Sequence, residues 1–371
     1  MKNDSEVLTA IASNKIFFPK YIFTNVMYKV NSNELELCDV LIEFKDFYIC
    51  IEVKEKSDEG ESHDYNWFKN KVLSKAKNQS KRAVETIALG GFDYYAKIDG
   101  KNTAIEIDKN KSVIPIIVFC NSEFQTYDRY YYSKSLNKVI NIFSYADFCT
   151  MLDTIVIPYD IIGYILERSS YMPTHGGKRV IFEDVTSEAT LLSAPQTEQD
   201  YAEMYLVKNY YSHQDIQQEY VMFYNEFLSM IYKDYVSQIP ELFEMLLSAD
   251  SIVANRIIKF YCTTLEQLKS ETWTFPLFVH NNDGSGIAFM RKPFASTDKE
   301  FSNYINNFGT YYAYKYQVKK VFLMLFETAT EDTFAINTGL STYDLPSFEP
   351  ELEIKMQEID EYIKQCKNSR K

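Results

Sequence analysis

Two apolar runs separated by only two residues constrain this chain more than any other feature. Residues 36–44 read Glu-Leu-Cys-Asp-Val-Leu-Ile-Glu-Phe, and residues 47–54 read Phe-Tyr-Ile-Cys-Ile-Glu-Val-Lys. Both have the look of strands, and Lys45-Asp46 leaves room only for a tight turn, so the pair reads as a β-hairpin. Side chains alternate faces along a strand. Tyr48, Cys50, Glu52 and Lys54 therefore share one face, and Phe47, Ile49, Ile51 and Val53 the other. Two charged residues end an otherwise apolar face. Burying them unpaired is costly, so they need each other, a cation, or water at a cleft.

Pairing Phe44 with Phe47 sets Asp39 opposite Glu52. Two carboxylates so placed repel. A hard divalent cation resolves the conflict, because magnesium takes one or two carboxylates together with waters and phosphate oxygens. Such an ion can polarise a phosphodiester and generate hydroxide from bound water. Lys54, on the same face, can orient that water or steady charge developing on phosphorus.

The surroundings extend the pattern. Residues 4–13 read as a short helix capped by Asp4 or Ser5, with Val7, Leu8 and Ile11 expected inward. Residues 66–89 read as a long helix with Trp67, Val72, Ala76, Ala83 and Ile87 at helical spacing. It carries Lys69, Lys71, Lys75, Lys77, Lys81 and Arg82 against Glu85. These cations serve either as phosphate contacts beside the cleft or as a solvated helix face. Trp67 is read as core packing rather than a base-stacking platform. Strands are expected at 113–120 and 139–143, and helices at 145–152 and 158–168. The first domain thus reads α-β-β-α-β-β-α-α, an α/β unit with a mixed sheet flanked by helices.

Asp39 followed by Glu52-Val53-Lys54 at the end of an apolar strand, with a helix carrying an acidic residue before and a basic helix after, resembles the PD-(D/E)xK nuclease superfamily. Residues 36–41 and 67–83 look most like a bacterial branch linked to phage defence or restriction. The resemblance covers roughly residues 1–170 and implies a restriction-endonuclease-like fold. It implies Asp39, Glu52 and the Val53 carbonyl as metal ligands, Lys54 as the catalytic lysine, and Gln79 as a glutamine placed near the site. Glu6 matches the acidic residue of the first helix, with Glu36 as its competitor for completing the metal site. Lys71, Lys75, Lys77 and Arg82 become contacts to nucleic acid. The implied cofactor is Mg2+, for which Mn2+ can substitute. The implied activity is endonucleolytic hydrolysis of phosphodiesters, with DNA the first substrate to consider. One departure is Cys38, which stands where the superfamily's name has proline.

Two rival readings stand beside this one. The first is a catalytically silent nuclease fold that binds nucleic acid or a partner protein; the intact Asp/Glu/Lys trio argues against it. The second is a structural or interaction protein whose working surface is the acidic second domain.

Length and charge shape the rest. A chain of 371 residues exceeds one typical domain. The expected division is a nuclease-like domain over 1–171, a linker over 172–200 and an α+β domain over 201–371. The net charge of -13 is unlike that of a general nucleic-acid binder. It is unevenly spread: residues 1–170 carry a net -3 and the remainder -10. Nucleic acid is therefore expected on the first half. The second half is expected to sense, oligomerise or bind a partner protein.

The six cysteines form no CxxC pair and the four histidines are scattered, so no zinc pattern results. The start lacks a signal-peptide core and no apolar run is long enough for a membrane span, so a reduced, cytoplasmic protein without membrane contact is expected. His175-Gly-Gly-Lys-Arg lacks phosphate-loop spacing. Gly284-Ser285-Gly286 reads as a hairpin turn rather than a nucleophile elbow. His280 near Asp283 is read as a strand-end histidine, and Tyr130-Tyr131-Tyr132 carries little weight as a stacking platform in so tyrosine-rich a chain.

Overall fold

The computed structural model describes residues 4–56, 64–98, 101–121, 127–174, 197–211, 216–269, 274–281, 284–293, 296–328, 334–342, 353–354 and 356–361. They form two compact units, Met1–Ser212 and His213–Lys371.

The first unit is built on an eight-stranded mixed sheet. Its strands are β1 (Ile22–Val30), β2 (Asn33–Phe44), β3 (Phe47–Glu55), β4 (Tyr94–Ile98), β5 (Lys101–Ile105), β6 (Ser112–Cys120), β7 (Tyr130–Ser133) and β8 (Lys138–Ser144). They lie in the order β5-β4-β1-β2-β3-β6-β8-β7. The expected hairpin is β2–β3, with Phe44 paired to Phe47 and Val40 to Ile51. Lys45 takes positive φ in the two-residue turn. β3 and β6 run parallel, as do β6 and β8. β6 is buried at every position from Val113 to Phe119, as a strand covered on both faces should be.

Four of these strands were not expected: β1, β4, β5 and β7. β1 mixes Thr24, Asn25 and Lys29 with its apolar residues, and β5 is almost wholly exposed, so neither shows a clean period of two.

The helices of this unit are α1 (Asp4–Phe17), α2 (Asp64–Trp67), α3 (Lys77–Leu89), α4 (Tyr145–Ile155), α5 (Pro158–Thr174) and α6 (Glu198–Leu206). Between α2 and α3, Phe68–Ala76 is π-helical. Ala83, Val84 and Ile87 of α3 bury against Tyr48, Cys50 and Leu41 of the hairpin. Trp67, Phe68, Val72 and Ala76 bury against Ile117 and Phe119 of β6, so Trp67 is core as expected. Gly90, at φ 65, ends α3.

α1 overturns one expectation. Val7, Leu8 and Ile11 are exposed, by 37%, 46% and 51%. The buried face is instead Ser5, Thr9, Ala10, Ala12, Ser13, Ile16 and Phe17. Small residues let the helix approach the sheet closely. The Thr9 hydroxyl donates to Ser5 O and the Ser13 hydroxyl to Thr9 O, so their burial leaves no hydroxyl proton unpaired. Phe17 then meets Phe44 edge to face, on the sheet face opposite α3.

The expected linker also reads differently where it is described. Glu198 opens α6 and is fully buried in the first unit. The Arg168 Nε–H donates to it at 3.0 Å, Arg129 at 2.7 Å and the Tyr164 hydroxyl at 2.5 Å. Arg168 also donates to Arg129 O, Asn141 Oδ1 and Ile142 O. The first unit thus runs past residue 200, because a buried charge cluster fastens α6 to β8 and α5. Residues 175–196, His175-Gly-Gly-Lys-Arg included, lie outside the described residues.

The second unit joins helices α7 (Gln218–Tyr235), α8 (Pro240–Leu247), α9 (Ser251–Glu266) and α10 (Asp298–Tyr316) to a four-stranded sheet. Its strands are β9 (Leu277–His280), β10 (Ser285–Arg291), β11 (Lys320–Thr328) and β12 (Phe334–Thr342). Only β10 and β11 are parallel. Gly284, at φ 79, precedes β10, and Ser285 is its first strand residue, in keeping with a turn. Asp283 lies outside the described residues, and His280 is a strand-end residue beside the Tyr316 ring. Among the described residues, no helix is long and apolar enough to cross a membrane.

Candidate functional site

The hairpin ladder ends beside Asp39, Glu52 and Lys54. Beyond the Val40–Ile51 pair, the Asp39 carboxylate replaces the next ladder acceptor: its Oδ2 accepts the Val53 backbone N–H at 2.6 Å. Asp39 is 4% and Glu52 1% exposed. Lys54 stands between them, its ammonium 3.6 Å from Asp39 Oδ2 and 3.3 Å from Glu52 Oε2, and donates to the Val53 carbonyl at 2.8 Å. The sequence trio and the Val53 carbonyl therefore converge at the C-terminal end of β3, beside the parallel strand β6.

The electrostatics follow from this crowding. Burial, and then the negative charge of Asp39, push the Glu52 carboxyl up to about 8, while Lys54 pulls it down. Glu52 Oε1 is buried and makes no hydrogen bond among the described residues. An acceptor left bare in this way fits a cation-binding group, because an unpaired buried carboxylate oxygen is expensive. Asp39, Glu52 and the Val53 carbonyl supply the oxygen donors that magnesium favours. No group of three or more His, Cys, Asp or Glu positioned to hold a metal occurs among the described residues. The oxygen atoms that converge here belong to two carboxylates and one carbonyl.

Between Glu6 and Glu36, the structure brings Glu36 to the cluster. Val26 pairs with Cys38 and Met27 with Glu36, which makes Leu37 a bulge residue in β2. Bulges re-aim neighbouring side chains. Burial, followed by Asp39, raises the Glu36 carboxyl, while Lys54, Arg82 and Lys75 lower it. Glu36 in turn acts on Glu52. Glu6 is half-buried on α1 and is not among the principal charges acting on either group. No feature of a single sequence shows where a bulge falls.

The helical residues divide. Lys75 and Arg82 lie close enough to act on Glu36, and Arg82 also donates to Glu36 O at 3.3 Å. Gln79 sits between them on the same helical stripe, its Oε1 buried and without a hydrogen-bond partner among the described residues. Lys77 turns elsewhere, its ammonium 4.5 Å from the centre of the Tyr131 ring on edge strand β7. Lys71 is exposed on the π-helical segment. π-Helical segments are rare and recur at functional sites.

Cys38 and Cys50 lie beneath the carboxylates, fully buried. Burial and their mutual contact raise the Cys38 thiol well above its usual range. They are core groups rather than nucleophiles. Comparison with known proteins finds no match for this chain among family models, curated proteins or solved structures.

Proposed function

We propose that the first unit is a metal-dependent nuclease of the PD-(D/E)xK type, with a restriction-endonuclease-like fold. The observation that carries this reading is the convergence of Asp39, Glu52, Val53 O and Lys54, with one Glu52 oxygen buried and unpaired.

Asp39, Glu52 and the Val53 carbonyl would hold Mg2+ or Mn2+, with Glu36 close enough to act on the same cation from further out. When bound, the ion supplies Lewis-acid polarisation of the phosphodiester and a lowered water pKa. Lys54 carries the positive charge at the site. It neutralises the paired carboxylates and is placed to donate to a phosphate oxygen as charge builds there. Gln79, whose side-chain oxygen is buried and unpaired among the described residues, would orient the attacking water. Lys75 and Arg82 line the approach and are suited to backbone phosphates, which fix a strand's position without reading its sequence. DNA is the substrate to test first.

The test is cleavage by the full chain and its Lys54→Ala variant. Substrates are supercoiled plasmid, linear duplex, single-stranded DNA and RNA, each with magnesium, manganese or EDTA. Metal-dependent cutting by the wild type alone supports the reading. Equal cutting by the variant sinks it.

A further inference from the structure

The exposed face of α1 is unusual in its order as well as its polarity. Asp4, Leu8, Ile11 and Lys15 stand at spacings of four, three and four residues, one stripe of an α-helix, with Val7 alongside. All five are exposed. The opposite side of the helix is buried, and of the exposed apolar residues Ile11 also borders a recess against α4. A contiguous apolar stripe on a surface helix, rimmed by charge, marks an interaction surface.

The stripe is symmetric about its midpoint. Leu8 and Ile11 lie equally far from the centre, as do Asp4 and Lys15. Laid antiparallel on a copy of itself about a two-fold axis, the helix matches Leu8 with the other copy's Ile11 and Asp4 with its Lys15. An isologous interface needs such self-complementarity. An unrelated apolar partner would have no reason to find one acid and one base at equal distances from the middle.

The flank supports a helical partner. α4 lies beside α1, held by the Tyr145 hydroxyl donating to Leu8 O at 3.5 Å. Between the two helices is a recess of about 70 Å³, lined by Ile11, Ala12, Ile16, Leu152 and Cys149, with Lys15 and Asp153 at its rim. Its size and lining suit an apolar side chain from a facing helix.

We infer that the exposed face of α1 pairs antiparallel with α1 of a second copy of this chain, giving a two-fold dimer. Leu8 and Ile11 form its centre and Asp4–Lys15 pairs its two ends. The inference does not depend on the nuclease reading. One helix face with its flank is a small interface, so the dimer is expected to form in roughly the micromolar range.

Sedimentation velocity on the full chain tests this between about 1 and 100 µM, with circular dichroism to verify folding. The expected result is a concentration-dependent doubling of mass. Ile11→Glu, at a solvent-exposed position, should abolish that doubling. Asp4→Lys and Lys15→Asp, taken singly, should each weaken it at least tenfold. The double swap Asp4→Lys/Lys15→Asp should restore it, which loss of folding cannot mimic. A wild type that stays monomeric to 100 µM overturns the inference. So does a dimer that is indifferent to Ile11→Glu or to the charge swaps.

Discussion

The side chain of Asp39 holds the backbone N–H of Val53 at 2.6 Å, at the point where the β2–β3 ladder ends. One residue thus has two duties. It fixes the strand end that carries Glu52 and Lys54, and it offers a carboxylate to the cluster. The two are separable. Asp39→Asn keeps an oxygen for the Val53 N–H and removes the charge, whereas Asp39→Ala removes both. Asp39→Asn should keep its melting temperature within a few degrees and lose cleavage by at least about a hundredfold, on the scale of removing one electrostatic partner of a transition state. Asp39→Ala should lose cleavage and also about 1–3 kcal/mol of stability, because a buried N–H is left unpaired. Thermal melts and plasmid nicking decide the matter. Wild-type cutting by Asp39→Asn would refute the assignment.

Glu52 should set opposite pH trends for folding and for metal binding. Its carboxyl, near 8 in the folded chain against an ordinary 4.5, keeps a proton that the unfolded chain has already released between those values. The folded state therefore binds more protons in that window. Its contribution to stability is fully present below about 4.5, falls as pH rises towards 8, and levels off above. Metal requires the carboxylate, so Mn2+ affinity should rise across the same window. Glu52→Gln should flatten the stability trend and raise the melting temperature in EDTA above pH 8, where the wild type buries a second negative charge. It should also remove cleavage. Calorimetric melts from pH 5 to 9 in EDTA, with Mn2+ titrations alongside, test both trends. A wild-type stability that climbs from pH 5 to 8 relative to Glu52→Gln contradicts the argument.

Gln79 carries a side-chain oxygen that is buried and without a hydrogen-bond partner among the described residues. Gln79→Leu removes that oxygen at similar volume, so the fold should be unharmed or slightly stabilised. Cleavage should nevertheless fall by about tenfold or more, in keeping with lost positioning of a reacting group. A stable variant with full activity would assign Gln79 to packing alone.

How much of this was legible beforehand depends on range. The β2–β3 hairpin and its register were readable because the turn is two residues long and both strands alternate cleanly. Alternation alone then brought Asp39, Glu52 and Lys54 to one place. Glu36 was only a competitor to Glu6, because its approach rests on the Leu37 bulge, a backbone event without a residue signature. α1 was read inside out: Val7, Leu8 and Ile11 have the spacing of a core face, and the choice of the Ser-Thr-Ala side is made by how closely the sheet is approached. β5 and β7 were missed because short edge strands have few buried positions to reveal a period, and β4 because Tyr94, Tyr95 and Ala96 are buried in succession and show no alternation. In the second unit, the turn at Gly284-Ser285 was legible, because Gly284 takes the positive φ that suits glycine.

The cations of the helix should separate by measurement. Lys75 and Arg82 act on the cluster, while Lys77 is engaged with the Tyr131 ring. Lys75→Ala and Arg82→Ala should each weaken binding to duplex DNA and reduce the slope of log K against log salt by about 0.9, the change for one phosphate contact. Lys77→Ala should leave the slope nearly unchanged. Fluorescence anisotropy from 50 to 200 mM salt, with Ca2+ replacing Mg2+ to hold back cleavage, reads the slopes. Equal slopes for all three variants would return these cations to the role of a solvated helix face.

The Glu198–Arg168 cluster makes a prediction about where the first unit ends. Arg168 is 3% exposed, and all of its polar hydrogens have acceptors: Glu198 twice, Arg129 O, Asn141 Oδ1 and Ile142 O. Removing Glu198 leaves a buried guanidinium without its counter-charge, and also strips partners from Tyr164 and Arg129. Breaking a buried pair from one side costs about 3–5 kcal/mol, because the remaining charge is uncompensated. Glu198→Ala should therefore lower stability by that amount in urea melts of the 1–212 fragment. Arg168→Met/Glu198→Met should recover part of the loss, since both charges leave together. A fragment ending at residue 171 lacks Glu198 altogether and should be less stable than 1–212 by at least as much. If the two fragments melt alike, α6 is an appendage, and the division expected from composition was the better one.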